Sequence, residues 1–357
     1  MKFQIATEKD KESYERFVNK KAGTTCMQMW QWADFRNKLG KKIYERVFVK
    51  ENGSIKLTAN IAINSFKVLG NILYIPQGPI WESSGTLNEF TSNIINFAKE
   101  RNCFSIVCEP RVQKDSGEFN DLINAGFLFT DKAVQPRCTI FLDISKNEEE
   151  LLAGFSRTTR YNIGYAKRKG IEIKHFNKPC DISRIDDFYK LILMTQDRKY
   201  FHIQPLDYFK NLWLEFSNDG KADLFEAWYN REHLGTILTL NNDIWSASLF
   251  SASSRKYDKF KPIYLARWDS IKNAKSKGCQ IYDFFGATDS NDSSHPFYYT
   301  TQHKLGFEKK FKRFAGTFEI ILNPVKYRIW RFLESKMIFK FYEDSFLKVF
   351  RNANKKK

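Results

Sequence analysis

Apolar residues recur at helical spacing over residues 8–20 and 29–39, the signature of helices with one buried face. The pattern then switches to alternation in "KIYERVFVKENGSIKLTANIAINSF", which predicts two strands joined by a hairpin turn at Asn52-Gly53. A third strand, "NILYIPQGPI", follows, and a helix over 86–101 leads into the buried strand "FSIVCEP". In "EFNDLINAGFLF" a short helix stops at a glycine and gives way to a strand, and "RCTIFLDIS" closes a first unit. Ser145 and Glu148 have the S-x-x-E spacing of a capping box, so a second unit opens on one long basic helix, "EEELLAGFSRTTRYNIGYAKRKG", ending at Gly170. It continues with a strand at 171–176, helices near 181–198 and 206–218, and three strands across 221–250. A helix over 261–277 and the strand "QIYDFFG" complete it.

The two units share more than composition. "AKERNCFSIVC" at 98–108 and "AKSKGCQIYDF" at 274–284 both run Ala-Lys, three residues, Cys, then a strand. Further on, "INAGF" ends at Phe127 and "HKLGF" at Phe307, so a Gly-Phe pair recurs at nearly the same place in each. This order predicts a tandem α/β duplication, and a chain of 357 residues fits two domains of ordinary size.

Composition narrows the setting. An apolar share of 42% can build two cores, while a mean hydropathy of −0.51 argues against a membrane protein. No apolar run approaches the roughly 18 residues a spanning helix needs, and the N-terminus turns polar too soon for a signal peptide, so the expectation is a cytoplasmic chain. Fifty-eight Lys and Arg against 41 Asp and Glu give +17. That charge attracts tRNA, a nucleotide diphosphate or an anionic membrane without choosing among them, and a basic proteome alone would also produce it. The six cysteines form no C-x-x-C pair and the five histidines are scattered; reduced, mostly buried thiols and no metal site are expected. No glycines stand two apart and no G-x-x-x-x-G-K occurs, which excludes a Rossmann or P-loop phosphate cradle; no G-x-S-x-G elbow is present either.

The helix, strand, helix and "K-x-GF" order resembles the end of a GNAT acyltransferase domain, although the acyl-CoA loop is missing from both units. Six motifs in order extend this to a resemblance over nearly the whole chain: "MQMWQWADFRNKLGKK" from 27, "YIPQGPI" from 74, "FSRTTRYNIGYAKRKGIEI" from 155, "MTQDRKYF" from 194, "YLARWDSIKNAKSKGCQIYDFFG" from 264 and "FYYTTQHKLGFEKKF" from 297. The chain is identified on them as a member of the Fem family of aminoacyl-tRNA-dependent peptidoglycan-bridge transferases, of the compact branch. The resemblance implies an α/β (α+β) fold of tandem GNAT-like domains with no inserted coiled-coil arm. The first domain would span 1–144, completed by the C-terminal segment 315–357, and the second 145–314.

It also implies transfer of an aminoacyl group from aminoacyl-tRNA to an amine on the stem peptide of a peptidoglycan precursor, UDP-linked or lipid-linked. The tRNA ester is already activated, so no metal, CoA or other cofactor is expected; the protein must orient the substrates and stabilise an oxyanion. By motif position, Arg36 and Arg198 would hold acceptor phosphate through two-point guanidinium contacts, and Tyr74 would line the acceptor site. Lys304 would stabilise the oxyanion or the leaving tRNA hydroxyl. His303 and His202 stand where the family usually has Phe and Tyr, which alters the expected pocket lining. Arg157, Arg160, Lys167 and Arg168 on the basic helix, with Lys309 and Lys310, would line the path of the tRNA.

Each residue also has a plainer alternative. Arg36 and Arg198 can be solvated helix arginines, Tyr74 a core aromatic, Lys304 a last-turn lysine before a glycine cap, and the basic helix a solvated face. No general base stands out; Asp283 and Asp289 flank "DFFGATD", and Asp283 suits a backbone-orienting role at a strand end. The aromatic and basic stretch after Asn323 suggests docking on the first domain with peripheral contact at the inner membrane leaflet, and the expected state is a monomer. Two rivals remain: a tRNA-dependent transferase acting on another peptide or amine, and a non-catalytic tRNA- or membrane-binding module.

Overall fold

The computed structural model describes residues 1–21, 25–40, 42–130, 132–199, 203–295 and 297–336, the side chains of 195–199 and 335–336 excepted. The described residues form two compact units, one of Met1–Arg137 with the segment from Arg313, the other of Cys138–Lys312.

The first unit begins with β1 (Lys2–Ile5), α1 (Lys11–Asn19) and α2 (Trp30–Lys38), then the hairpin of β2 (Ile43–Glu51) and β3 (Ser54–Phe66). Asn52 and Gly53 both take positive φ, 49° and 78°, as a two-residue hairpin turn requires. Next come β4 (Gly70–Ile75), β5 (Ile80–Trp81), α3 (Ser84–Glu100), β6 (Cys103–Cys108), α4 (Gly117–Asn124) and β7 (Leu128–Thr130). The stretch expected as one strand, "NILYIPQGPI", is therefore two: Gln77 at φ 50° turns the chain between them. β4 and β6 pair in parallel across the helix α3, a βαβ crossover. Leu87, Phe90 and Ile94 of α3 meet Ile61, Leu73 and Ile106 of the sheet in one buried cluster.

The second unit runs β8 (Cys138–Asp143), α5 (Glu148–Gly154), α6 (Arg157–Arg168), β9 (Glu172–Phe176), α7 (Ser183–Lys199), α8 (Leu206–Asn218), β10 (Ala222–Tyr229), β11 (Glu232–Asn241) and β12 (Trp245–Ser253). It ends with α9 (Pro262–Ser276), β13 (Ile281–Asp283), α10 (Tyr298–Leu305) and β14 (Phe311–Arg313). Among the described residues its sheet is ordered β14-β8-β13-β12-β11-β10-β9, and no additional two-helix arm is inserted. Phe155, Ile163, Leu265, Ile271, Tyr282 and Phe307 share its core.

The chain then returns to the first sheet as β15 (Thr317–Ile321), antiparallel to β6 and β7, followed by α11 (Pro324–Lys336). Trp330 of α11 is 4% exposed and packs on Phe104 within the first unit. The aromatic residues expected beyond it, from Phe339 to Phe350, lie outside the described residues.

Three expectations are corrected. The boundary falls after Arg137, not 144, because β8 pairs with β13 in the second sheet, and the return begins at Arg313 rather than 315. The capping box is Asn147 with Glu150, through Glu150 N–H to Asn147 Oδ1 at 2.9 Å and Asn147 N–H to Glu150 Oε2 at 3.1 Å; Ser145 turns back to Asp143 instead. The long basic helix is two helices, broken where buried Phe155 leaves helical geometry and Ser156 caps α6 through Thr159 N–H at 3.1 Å. All six cysteines are free thiols, five buried and Cys180 exposed. No helix among the described residues is long and apolar enough to cross a membrane.

Candidate functional site

In the second unit the chemistry gathers where β13 runs out. Asp283, fully buried, takes the Thr139 hydroxyl and the Phe285 N–H at 2.8 Å. These contacts are the backbone-orienting role expected of Asp283 at a strand end; Asp289 is exposed. The turn it ties places Phe285 and Gly286 in left-handed conformation, at φ 47° and 48°, and their two carbonyls both accept the Lys304 ammonium. α10 is fastened a second time by Thr288 N–H to Thr301 Oγ1 at 3.0 Å. Lys304 is thus a cation held in place by the backbone, not a mobile surface lysine.

The Gly-Phe pair after Lys304 locks this element to α6. Phe307 enters the core edge-on to Phe155, 5.0 Å between centroids. Gly306 is no left-handed cap: its φ is −68°, whereas Gly126 in the first unit sits at +92°. The glycine is required for close approach, since a Cβ would lie 2.2 Å from Thr159 Oγ1, and the Gly306 carbonyl accepts the Ser156 N–H at 2.9 Å. The C-terminal end of α10 therefore meets the N-terminal end of α6, opposite ends of two helix dipoles.

Beyond that joint α6 presents a basic face. Arg157, Lys167 and Arg168 are exposed, and so are Lys309 and Lys310. Arg160 is exposed as well, but its guanidinium is engaged by the carbonyls of Ala153 and Phe155, to which it donates, capping the C-terminus of α5. Tyr161, 60% exposed, stacks on Tyr165 at 5.7 Å, and Lys169 lies 5.4 Å from the Tyr165 ring. A basic helix with an exposed aromatic platform suits a nucleic-acid strand.

His303 points away from solvent. Its ring stacks on Tyr264 at 4.4 Å, both nitrogens are buried without a hydrogen-bond partner, and burial, with Arg267 and Lys304 adding positive charge, pushes its pKa down to about 3. It serves as a neutral aromatic, not as a polar lining of a pocket. Arg267, 4% exposed, donates to Ser248 and to the Tyr282 hydroxyl. It stands inside "YLARWDS", where its place on the apolar helix face was the available signal.

The first unit holds a second cluster. Arg36 is 4% exposed, with its guanidinium carbon 5.4 Å from the Tyr44 ring, so it is a packed arginine rather than a solvated one. Tyr74 is 4% exposed and donates its hydroxyl to Glu109 at 2.6 Å, which is the packing of a core aromatic. Glu109 also accepts Val134 N–H at 2.6 Å and the Thr317 hydroxyl at 2.9 Å; burial raises its pKa against these bonds, which lower it. Beside it a pocket is lined by Gln77, Arg111, Gln135, Arg137 and Phe314 among others. These residues follow no pattern in the sequence; a glutamate directly ending the apolar run "FSIVC" is the one visible sign. The side chain of Arg198 and all of His202 lie outside the described residues.

Against known proteins, the profile of the FemAB family matches residues 10–234 and 220–335. The chain belongs to the FemAB family. Relatives include the lipid II:glycine glycyltransferases of Staphylococcus epidermidis, 22% identical over 89% of this chain and 93% of theirs, and of Staphylococcus aureus strain MRSA252, also 22% identical with the same coverage. Among solved structures, that of FemX superposes with a TM-score of 0.84 at 21% identity, covering 92% of this chain and 99% of FemX. A tandem GNAT protein from the clavulanic acid biosynthesis pathway superposes at 0.53 with 9% identity over 90% of this chain and 99% of its own. The expected family and the tandem GNAT-like fold are thus the ones found.

Proposed function

We propose that this protein is an aminoacyltransferase that moves an aminoacyl group from a charged tRNA onto an amine of the stem peptide of a peptidoglycan precursor. The amine attacks the ester carbonyl, the tetrahedral intermediate collapses, the C–N bond replaces the C–O bond, and the tRNA ribose hydroxyl leaves with a proton from the amine. The ester supplies the driving force, so the proposed reaction needs neither CoA nor a metal. Lys304 carries the assignment: Phe285 and Gly286 fix its ammonium at the joint with α6, where it is preorganised to meet the oxyanion or the departing ribose oxygen. The exposed basic face of α6 supports the tRNA half, and the names of the relatives support the acceptor half. The reaction is placed on the cytoplasmic side of the membrane, where charged tRNA is found.

The test is a transfer assay with charged tRNA and UDP-linked pentapeptide, with an unrelated peptide amine as the second acceptor. Transfer to the pentapeptide is expected. Lys304→Met should lower kcat by ~10²–10³, the range for loss of one preorganised oxyanion donor, while acceptor affinity changes less than about twofold. Transfer to neither acceptor would overturn the assignment, and transfer to the unrelated amine alone would move it outside wall synthesis.

A further inference from the structure

Along α6 and its cap, Arg157, Tyr161, Tyr165 and Lys169 stand four residues apart, the spacing that brings side chains together on one helix face. Tyr161 and Tyr165 lie parallel, with 5.7 Å between centroids and 15° between planes. The Lys169 ammonium closes the far end of this column, 5.4 Å from the Tyr165 ring. The near end is open: Tyr161 is 60% exposed, and Tyr165 covers only its C-terminal side. Its other side looks toward the N-terminal end of α6, where the Ser156 N–H binds the Gly306 carbonyl at 2.9 Å.

Positive charge surrounds the rings. No acidic residue stands between Glu150 and Glu172, and Arg157, Lys167 and Arg168 are exposed and form no ion pair among the described residues. Arg168 folds back along the helix, its Nη1 3.1 Å from where a Cβ on Gly164 would lie, which sets a guanidinium beside the two tyrosines.

An exposed ring among unneutralised cations is the combination that holds a single nucleic-acid strand, phosphates on the cations and a base on the ring. A duplex could use the charge but not the ring, because its bases hide their faces in the stack. A lipid surface could also use the charge, but it takes up inserted apolar side chains, and the aliphatic residues of α6, Ile163 and Ala166, are buried.

We propose that the open face of Tyr161 is a stacking platform for one unpaired base of an RNA strand running along α6, with Arg157, Lys167 and Arg168 on its phosphates. From Ser156 to Tyr161 the helix rises by about 7.5 Å, roughly two nucleotides at ~3.4 Å each. The base taken therefore lies close to the strand end delivered at the joint with α10. That this strand is the unpaired end of charged tRNA rests on the proposed function; the column of rings and charges does not.

Fluorescence anisotropy on the full chain compares a labelled short single-stranded RNA with its abasic counterpart of equal phosphate number. The base-bearing strand should bind about tenfold more tightly, the scale of one base stacked on one ring. Tyr161→Ala should lower it to the affinity of the abasic strand with the salt slope unchanged, because the phosphate contacts stay, and Tyr161→Trp should keep the preference. In the transfer assay Tyr161→Ala should raise KM for charged tRNA about tenfold and change kcat less than about twofold, as loss of uniform binding does. Unchanged melting temperatures verify that the variants fold, and the wild-type comparison stands whatever they do. Equal affinity of the wild type for the two strands, binding of neither, or a preference that survives Tyr161→Ala overturns the platform. So does a Tyr161→Ala protein that keeps its RNA affinity and loses binding to phosphatidylglycerol vesicles, which would assign the ring to a lipid surface. A base preference that Tyr161→Ala abolishes, in a protein that transfers no aminoacyl group, would instead sink the proposed reaction and leave the platform standing.

Discussion

Both ring nitrogens of His303 are buried without partners while the ring lies 4.4 Å above Tyr264, so it contributes as an aromatic and costs as a polar group. Each unsatisfied buried donor or acceptor costs ~1–3 kcal/mol, and His303→Phe should therefore raise stability by about 1–2 kcal/mol once ring-size differences are allowed for. The same substitution carries a pH signature. The folded state holds the imidazole pKa down at about 3, against 6.5 unperturbed. The unfolded chain thus binds the extra proton first, and stability conferred by the neutral form is intact above 6.5 and lost as the pH falls toward 3. His233, pushed down to about 4 by burial, acts in the same direction, so the wild type alone does not isolate His303. Urea unfolding of wild type and His303→Phe at pH 7 and pH 5 does: the gap should widen on acidification. A pH-independent gap would mean that the ring nitrogens find partners.

At the scale of elements, the joint between α10 and α6 depends on one missing side chain. Gly306→Ala would put a Cβ 2.2 Å from Thr159 Oγ1, and the overpacking should cost about 1–3 kcal/mol. Thr159→Ala removes the clashing oxygen, so the double variant should be more stable than the sum of the singles predicts, by a coupling of about 1 kcal/mol in thermal or urea unfolding; strict additivity would place the strain elsewhere. Sequence patterning could not reach this. "INAGF" and "HKLGF" look alike, yet Gly126 is chosen for a positive φ and Gly306 for proximity, and the second reason resides in α6, far away in the chain. The sequence pattern places α2, α3, α8 and α9 to within a residue or two; α3 and α8 are legible because each buries one face, whereas α2 is buried nearly all round. It failed at Phe155, where a core side chain interrupts the basic run, and at β8, since a strand's sheet depends on its distant partner β13. Within the candidate site, motif order pointed to Lys304 but not to the carbonyls that hold it, and Glu109, Gln135 and Arg137 converge only through tertiary contacts.

For the whole molecule, +17 guarantees attraction to any polyanion, which makes affinity for tRNA a poor test of where the tRNA lies. Its salt dependence is a better one. Each phosphate contact contributes about 0.7–0.9 to the slope of log K against log salt, so localised contacts are countable while diffuse charge is not. Arg157→Gln, Lys167→Gln and Arg168→Gln together remove three exposed charges from the α6 face, and by that measure should flatten the slope by about two to three and weaken binding at ~0.1 M salt. Lys9→Gln, Lys20→Gln and Lys256→Gln remove three exposed charges elsewhere and lower the net charge equally. If tRNA follows α6, the control triple keeps the wild-type slope. An equal loss in both triples would show that the protein's overall field holds the tRNA, and would detach the basic helix from the reaction while leaving Lys304 in place.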